Sequence, residues 1–340
     1  MDNLRDFITS DGRLDSRYIH KRETLYQGMN GNLVERFYTA PDRSYIFKPL
    51  THPGQDGRES WVYKHILPRL PAIYPRLLAR SGPRQEGQGW SIFEDLGPLS
   101  HEFDADTMLK VVKEMALWHA FPQTAWPADL PFAGQKPRIE SIVEELRERQ
   151  EEVSELLTEL GLAGICLTEE MTELLQTAAT PGFQASQVLC HGDLHLGNYA
   201  LAGDKLFILD WEHAHLNTPY WDLYHVLDMS HPLFPKQMTP ILREQALNAY
   251  ASESSRHGKA WDRGKLRKEY CLFAAVFSVW MLLLIRSDLK RGKAIWPVPL
   301  LKAQWHETVK SLAKCVECLY RREAETIGYP SNYTDKVVGE

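Results

Sequence analysis

Apolar and polar positions change their period along the chain at Gly97-Pro98. Before that dipeptide, short runs rich in aromatic and β-branched residues occupy positions 24–26, 34–39 and 44–49. They are separated by Gly28-Met29-Asn30-Gly31-Asn32 and Ala40-Pro41-Asp42. Strand-like runs punctuated by turn chemistry predict an antiparallel meander. Residues 58–67 instead have helical spacing, with Trp61, Val62, His65 and Ile66 on one face, and Pro68 ends the helix. Segments 75–79 and 89–94 read as two further strands.

Beyond Gly97-Pro98 the period becomes helical. Met108, Val111, Val112, Met115 and Trp118 share one side of a helix over 107–120. Residues 121–137, with four prolines and one glycine, read as loop, and 141–160 as one long charged helix. Strand character returns over 187–209 around a polar loop, which predicts an embedded β-hairpin, and everything after Tyr220 is helical. The expected organisation is a β-rich lobe over 1–96, a Gly-Pro connector, and a mainly helical lobe over 97–340.

Composition narrows the class. A chain of 340 residues with 44% apolar content can bury substantial cores. Its net charge of −6 carries no basic excess of the kind nucleic-acid binding uses, so no nucleic-acid partner is expected. The five cysteines, at 166, 190, 271, 315 and 318, are too sparse for a disulfide framework. Cys315 and Cys318 form a C-x-x-C with no second pair to complete a zinc site, so they read as ordinary helix cysteines. The first residues lack the basic and apolar regions of a signal peptide. The longest apolar run, 271–285, falls short of the ~18 residues of a membrane span and predicts a buried helix. The expected location is cytoplasmic, with no membrane partner.

The chemistry concentrates in His191-Gly192-Asp193-Leu194-His195-Leu196-Gly197-Asn198 and in the apolar run Leu206-Phe207-Ile208-Leu209, which ends in Asp210. Phosphoryl transfer needs a carboxylate to orient the attacking hydroxyl and oxygen ligands to hold magnesium on the phosphates. Asp193 can supply the first. Asn198 and Asp210 can supply the second, because Mg²⁺ takes few protein ligands and fills its shell with phosphate and water.

These two segments, with Leu209-Asp210-Trp211-Glu212, resemble the signature of the aminoglycoside phosphotransferase/choline kinase family. The resemblance implies an α+β, two-lobed protein-kinase-like fold and an ATP-dependent phosphotransferase acting on a small-molecule hydroxyl, with ATP and Mg²⁺ as cofactors. It makes Asp193 the catalytic base, Asn198 and Asp210 the magnesium ligands, and His191 a residue that shapes the loop. Lys48, after the apolar run Tyr45-Ile46-Phe47, matches the family's phosphate-binding lysine, and Glu59 its ion-pair partner. Gly28 and Gly31 fall where the family has its nucleotide-covering loop. The backbone of Glu94 and Leu96 falls where adenine is read, and Asp222, in Thr218-Pro219-Tyr220-Trp221-Asp222-Leu223, where a structural carboxylate anchors the loop.

The acceptor stays open. Glu212, Trp221, Tyr224 and Asp228 are candidate contacts, as is Trp280. Acidic groups suit an aminoglycoside, aromatic groups a choline-like cation, and a sugar-like acceptor fits as well. A catalytically silent structural relative, as among spore-coat proteins, is the alternative to an enzyme. A protein kinase is disfavoured because Asp210-Trp211-Glu212 stands where D-F-G is expected and no A-P-E follows.

Overall fold

The computed structural model describes residues 3–28, 31–50, 57–82, 89–132, 134, 136–176, 187–291 and 296–327. The chain divides into two compact units, Met1–Ser100 with Asn198–Ala214, and His101–Gly197 with His215–Glu340.

The first unit is built on five strands, β1 (Lys21–Gln27), β2 (Leu33–Ala40), β3 (Arg43–Pro49), β4 (Leu77–Arg80) and β5 (Trp90–Glu94). They form one antiparallel sheet in the order β1-β2-β3-β5-β4. Phe37, Phe47, Trp90 and Ile92 pack with Leu14 into its core. Side chains alternate along a strand, so while Phe47 enters this core, the next residue, Lys48, faces the other side. There the helix α1 (Arg58–His65) supplies Glu59. Gly57, at φ +76°, takes the left-handed turn that starts α1.

The same unit includes a hairpin, β7 (Tyr199–Ala202) and β8 (Lys205–Ile208), and the short 3-10 turn Trp211–His213. Ser100 bridges Leu201, Ile208 N–H donates to Ile73 C=O at 2.6 Å, and the Arg58 guanidinium donates to Ala214 C=O at 2.5 Å. These long-range bonds explain why the segment returns to the first unit, although its sequence continues the polar loop of the helical region.

The second unit is mainly helical. It contains α2 (Ala105–Ala120), α3 (Ile139–Glu148), α4 (Gln150–Glu159), α5 (Leu167–Gln176), α6 (Pro219–Leu227), α7 (Pro240–Arg256), α8 (Arg263–Arg291) and α9 (Val298–Ile327). Asp104 caps α2 by accepting Thr107 N–H, and Thr239 caps α7 with Pro240 at the first helical position. The helix α8 runs through the middle, with α3, α5, α6, α7 and α9 packed against it. It is long and apolar enough to cross a membrane by length and composition, and 78% of its most apolar window is buried inside the molecule.

Two expectations need correction. The long helix over 141–160 is two helices, broken at Arg149, whose ψ is 28°. The buried positions Ile142, Val143, Leu146, Val153, Leu156 and Leu157 stay in helical step across the break, which hides it from the pattern. The strands around the polar loop also do not form one hairpin. β6 (Val188–Cys190) pairs with β9 (His215–Asn217), and β7 pairs with β8.

Candidate active site

In the first unit the site is a cluster of charges around one ammonium. Lys48 Nζ lies 3.1 Å from Glu59, 2.6 Å from Asp210 and 3.4 Å from Glu212. Burial alone lowers a lysine's pKa, but here Asp210, Glu59 and Glu212 outweigh it and hold the ammonium charged. The carboxyls respond the other way. Burial, with Asp210 beside it, pushes Glu212 up to about 8, and burial also raises Glu59. Three carboxyls crowd around one cation there, a crowding that a bound divalent ion would relieve.

Asp210 reaches this cluster from a left-handed backbone, φ 60° and ψ 57°, which no other non-glycine residue among those described adopts. Its neighbour Leu209 donates its N–H to the Asn198 carbonyl at 2.8 Å, so the hairpin β7–β8 brings the two expected metal ligands to its open end. A cavity of ≈ 170 Å³ adjoins the cluster, lined among others by Lys48, Glu59, Arg80, Ser91 and Glu212.

The strand-end segment Glu94–Gly97 is held rigidly. The Glu94 carboxylate accepts Arg76 N–H and Nε, and Asp95 receives Arg36, Ser44 Oγ and Gly97 N–H. Leu96 is half-buried between them. At the first turn, Gly28 N–H donates to Asn32 C=O and Gly31 N–H to Gly28 C=O. Both amides close the turn instead of pointing at an anion; Met29 and Asn30 lie outside the described residues.

The second unit positions Asp193. Asp222, fully buried on α6, accepts His191 N–H at 2.7 Å and Gly192 N–H at 3.1 Å, and His119 Nε2 stands 3.4 Å away. Trp221 Nε1 donates to Gly192 C=O. His191 Nδ1 accepts Asp193 N–H at 3.3 Å, so the loop that presents Asp193 is bonded at successive residues. His119, Cys190 and Asp222 lie within metal-ligating distance of one another. Burial pushes the Cys190 thiol up, however, and it stays protonated as a donor to Thr218 C=O.

Lys136 Nζ lies 2.6 Å from Asp193 Oδ1 and 3.2 Å from His225 Nε2. His195 Nδ1 accepts Gly197 N–H, so its proton sits on Nε2, 3.5 Å from Asp193 Oδ2. Burial holds His195 and His225 neutral, each at about 3, and His231, stacked on His195 at 4.5 Å, at about 4. Burial works to raise the pKa of Asp193, but Lys136 above all holds it well below the usual carboxylate range. Gly197 belongs to this packing, because a Cβ there would come within 2.4 Å of the Phe234 ring.

A match to the model of the phosphotransferase enzyme family extends over residues 58–266. The chain belongs to that family. Protein LicA of Haemophilus influenzae is 31% identical over 70 residues, which are 21% of this chain and 24% of that protein. The match thus spans about a quarter of LicA. Choline kinase LicA from Streptococcus pneumoniae has the same fold, with a TM-score of 0.55 at 16% identity over 87% of this chain and 94% of that one. A spectinomycin phosphotransferase solved with ADP and spectinomycin gives 0.55 at 14% identity, over 88% and 94%. The expected kinase-like α+β fold is therefore present: a β-rich first unit and a mainly helical second one.

Within this phosphotransferase, three of the expected acceptor contacts are interior. Trp221 and Tyr224 pack on Phe277 with 1% and 0% exposure. Asp228 is 2% exposed and bound to Arg243, Tyr270 and Ser311. Their polar groups are engaged within the fold, which leaves no surface for a ligand. Glu212, 4% exposed, belongs to the Lys48 cluster, and Trp280 donates to Glu145. Sequence reasoning missed Lys136 and His225, and assigned no role to His195. Lys136 lies in a proline-rich loop 57 residues before Asp193, and no local spacing links the two.

Proposed function

We propose that this phosphotransferase is an ATP-dependent kinase that moves the γ-phosphate to a hydroxyl of a small molecule. The observation that carries the reading is the Lys48 cluster. An ammonium fixed by a carboxylate from α1 and another beyond β8 is the arrangement that aims a cation at phosphates. Asn198 and Asp210 would hold Mg²⁺, and the excess of carboxyls over cations there fits such an ion. When bound, Mg²⁺ would neutralise charge on the phosphates. The backbone of Glu94–Leu96 would read the adenine. Gly28 and Gly31 would shape the turn over the nucleotide rather than donate to it.

Asp193 would orient the acceptor hydroxyl. Positioning and charge neutralisation, not a covalent intermediate, would supply the acceleration. The acceptor class is an aminoglycoside-like, choline-like or sugar-like alcohol. One structural neighbour solved with spectinomycin and another described as a choline kinase support a small molecule over a protein.

ATP consumption across aminoglycosides, choline, amino alcohols and sugars, with the product identified by mass, tests the proposal. Asp193→Asn should lower turnover by about 10³-fold while Mg-ATP binding, read by thermal shift, persists. Near-wild-type turnover in that variant refutes the role given to Asp193. If the wild type fails to bind Mg-ATP, the structural-protein alternative takes over.

A further inference from the structure

The mechanism leaves Lys136 without a task, yet the molecule builds a seat for its ammonium. His225 Nδ1 donates to Trp221 C=O at 2.7 Å, which fixes the tautomer and leaves Nε2 as an acceptor for Lys136 at 3.2 Å. Asp193 Oδ1 completes the seat at 2.6 Å. Two described residues near Lys136 in sequence are anchored as well. Leu216 N–H donates to Pro131 C=O at 2.8 Å, and Gly134 lies against the buried His215 ring, where a Cβ would come within 2.6 Å. His215 is held in turn by Asn217 at 3.0 Å. A purely structural buried lysine looks different here: Lys236 donates to the backbone carbonyls of His225 and Val226. Lys136 instead meets two side chains, and one of them is the carboxylate that the proposed reaction uses.

We propose that Lys136 is a positioning residue for phosphoryl transfer: its ammonium, seated between Asp193 and His225, keeps Asp193 ionised and in one orientation toward the acceptor hydroxyl. This rests on the kinase reading above. The hydroxyl oxygen bonds to the γ-phosphorus as the bond to the ADP oxygen breaks, and that electron pair leaves with ADP. A carboxylate so stabilised by a cation is a weak base. The hydroxyl proton therefore passes to an oxygen of the transferred phosphoryl group and then to solvent, while Asp193 serves as the hydrogen-bond acceptor that aims the attack. Among the described groups, Lys136 from its loop, His195 from the same loop as Asp193 and His225 from α6 face Asp193, with His231 stacked behind His195.

The test compares wild type with Lys136→Met and Lys136→Ala. Lys136→Met should lower kcat by about 100-fold with little change in KM for ATP. It should also move the acid limb of the kcat–pH profile up by about one unit or more. Lys136→Ala should regain activity with added ethylamine, a small cation that fits the seat, but not with triethylamine. The carboxyl titration of Asp193, followed by ¹³C NMR without substrate, should move upward in Lys136→Met. An unchanged kcat and acid limb, or an unmoved Asp193 titration, overturns the proposal. If the wild type turns over no acceptor while Lys136→Met still shifts Asp193, the kinase reading fails, and the catalytic role of Lys136 with it. Gly134→Val, which displaces the loop without touching a charge, should reproduce part of the kcat loss; full activity there counts against the seat.

Discussion

His231 shows how a single ring records its surroundings. Burial, helped by Lys136 and Lys236, holds it at about 4, well below the ordinary 6.5 of a histidine. The unfolded chain therefore binds a proton that the folded one refuses, and the folded state loses stability as pH falls below about 6.5. One such group gives a slope of ~1.4 kcal/mol per pH unit across that window. His231→Phe keeps the ring against His195 and Phe234 and removes the titration. Urea unfolding from about pH 7 down to about pH 5 should show the variant losing less stability than wild type, by about one proton's worth of slope. Equal slopes would mean that His231 is solvated. The candidate residues with a local signature, Asp193, Asn198 and Asp210, can be named from sequence because an eight-residue word and a strand end mark them. Lys136, His225 and His231 were not, since they meet around Asp193 from separate elements.

The helix α6 is enclosed along its whole length: all nine of its residues are buried. Its C-terminal neighbour Asp228 is sealed in with Arg243, whose guanidinium donates to both carboxylate oxygens, and with Tyr270 and Ser311. Removing one member of a buried pair leaves an uncompensated charge, so Arg243→Met should destabilise by ~3–5 kcal/mol. Adding Asp228→Asn should recover part of that loss, because the stranded charge is gone. Denaturant melts of the two single variants and the double variant measure the coupling; additive effects would show that the two groups do not depend on each other. Elements with a clean period, such as α2 and the strands β2 and β3, were legible for the same reason that they fold: their apolar face is local. The break at Arg149 and the partners of β6 and β7 were not legible. A one-residue kink leaves the apolar step intact, and strands of three or four residues carry too little pattern to name a partner.

At the scale of the whole molecule, the order of β-rich then helical sequence was legible, whereas the return of Asn198–Ala214 to the first unit was not. That return is made by scattered bonds, to Ile73, Ser100 and Arg58 among others, distant in sequence and without a compositional mark. Its consequence is that neighbouring candidate residues fall in different units: Asp193 belongs to the second, while Asn198, five residues on, and Asp210, seventeen on, belong to the first with Lys48. Nucleotide affinity and acceptor activation should therefore separate under mutation. On the proposed reading Mg-ATP would bind only the folded chain, so at about 100 times its dissociation constant it should add ~2.7 kcal/mol of stability. Lys48→Met removes the ammonium around which the first unit's charges are arranged. It should abolish that ligand-induced shift while leaving the Asp193 titration where it was. Asp193→Asn should do the reverse, keeping the shift and losing turnover. Thermal melts with and without Mg-ATP, run on both variants beside wild type, decide the matter. A full shift in Lys48→Met would remove Lys48 from the nucleotide site and, with it, the main support for reading the first unit as the phosphate-binding half of the enzyme.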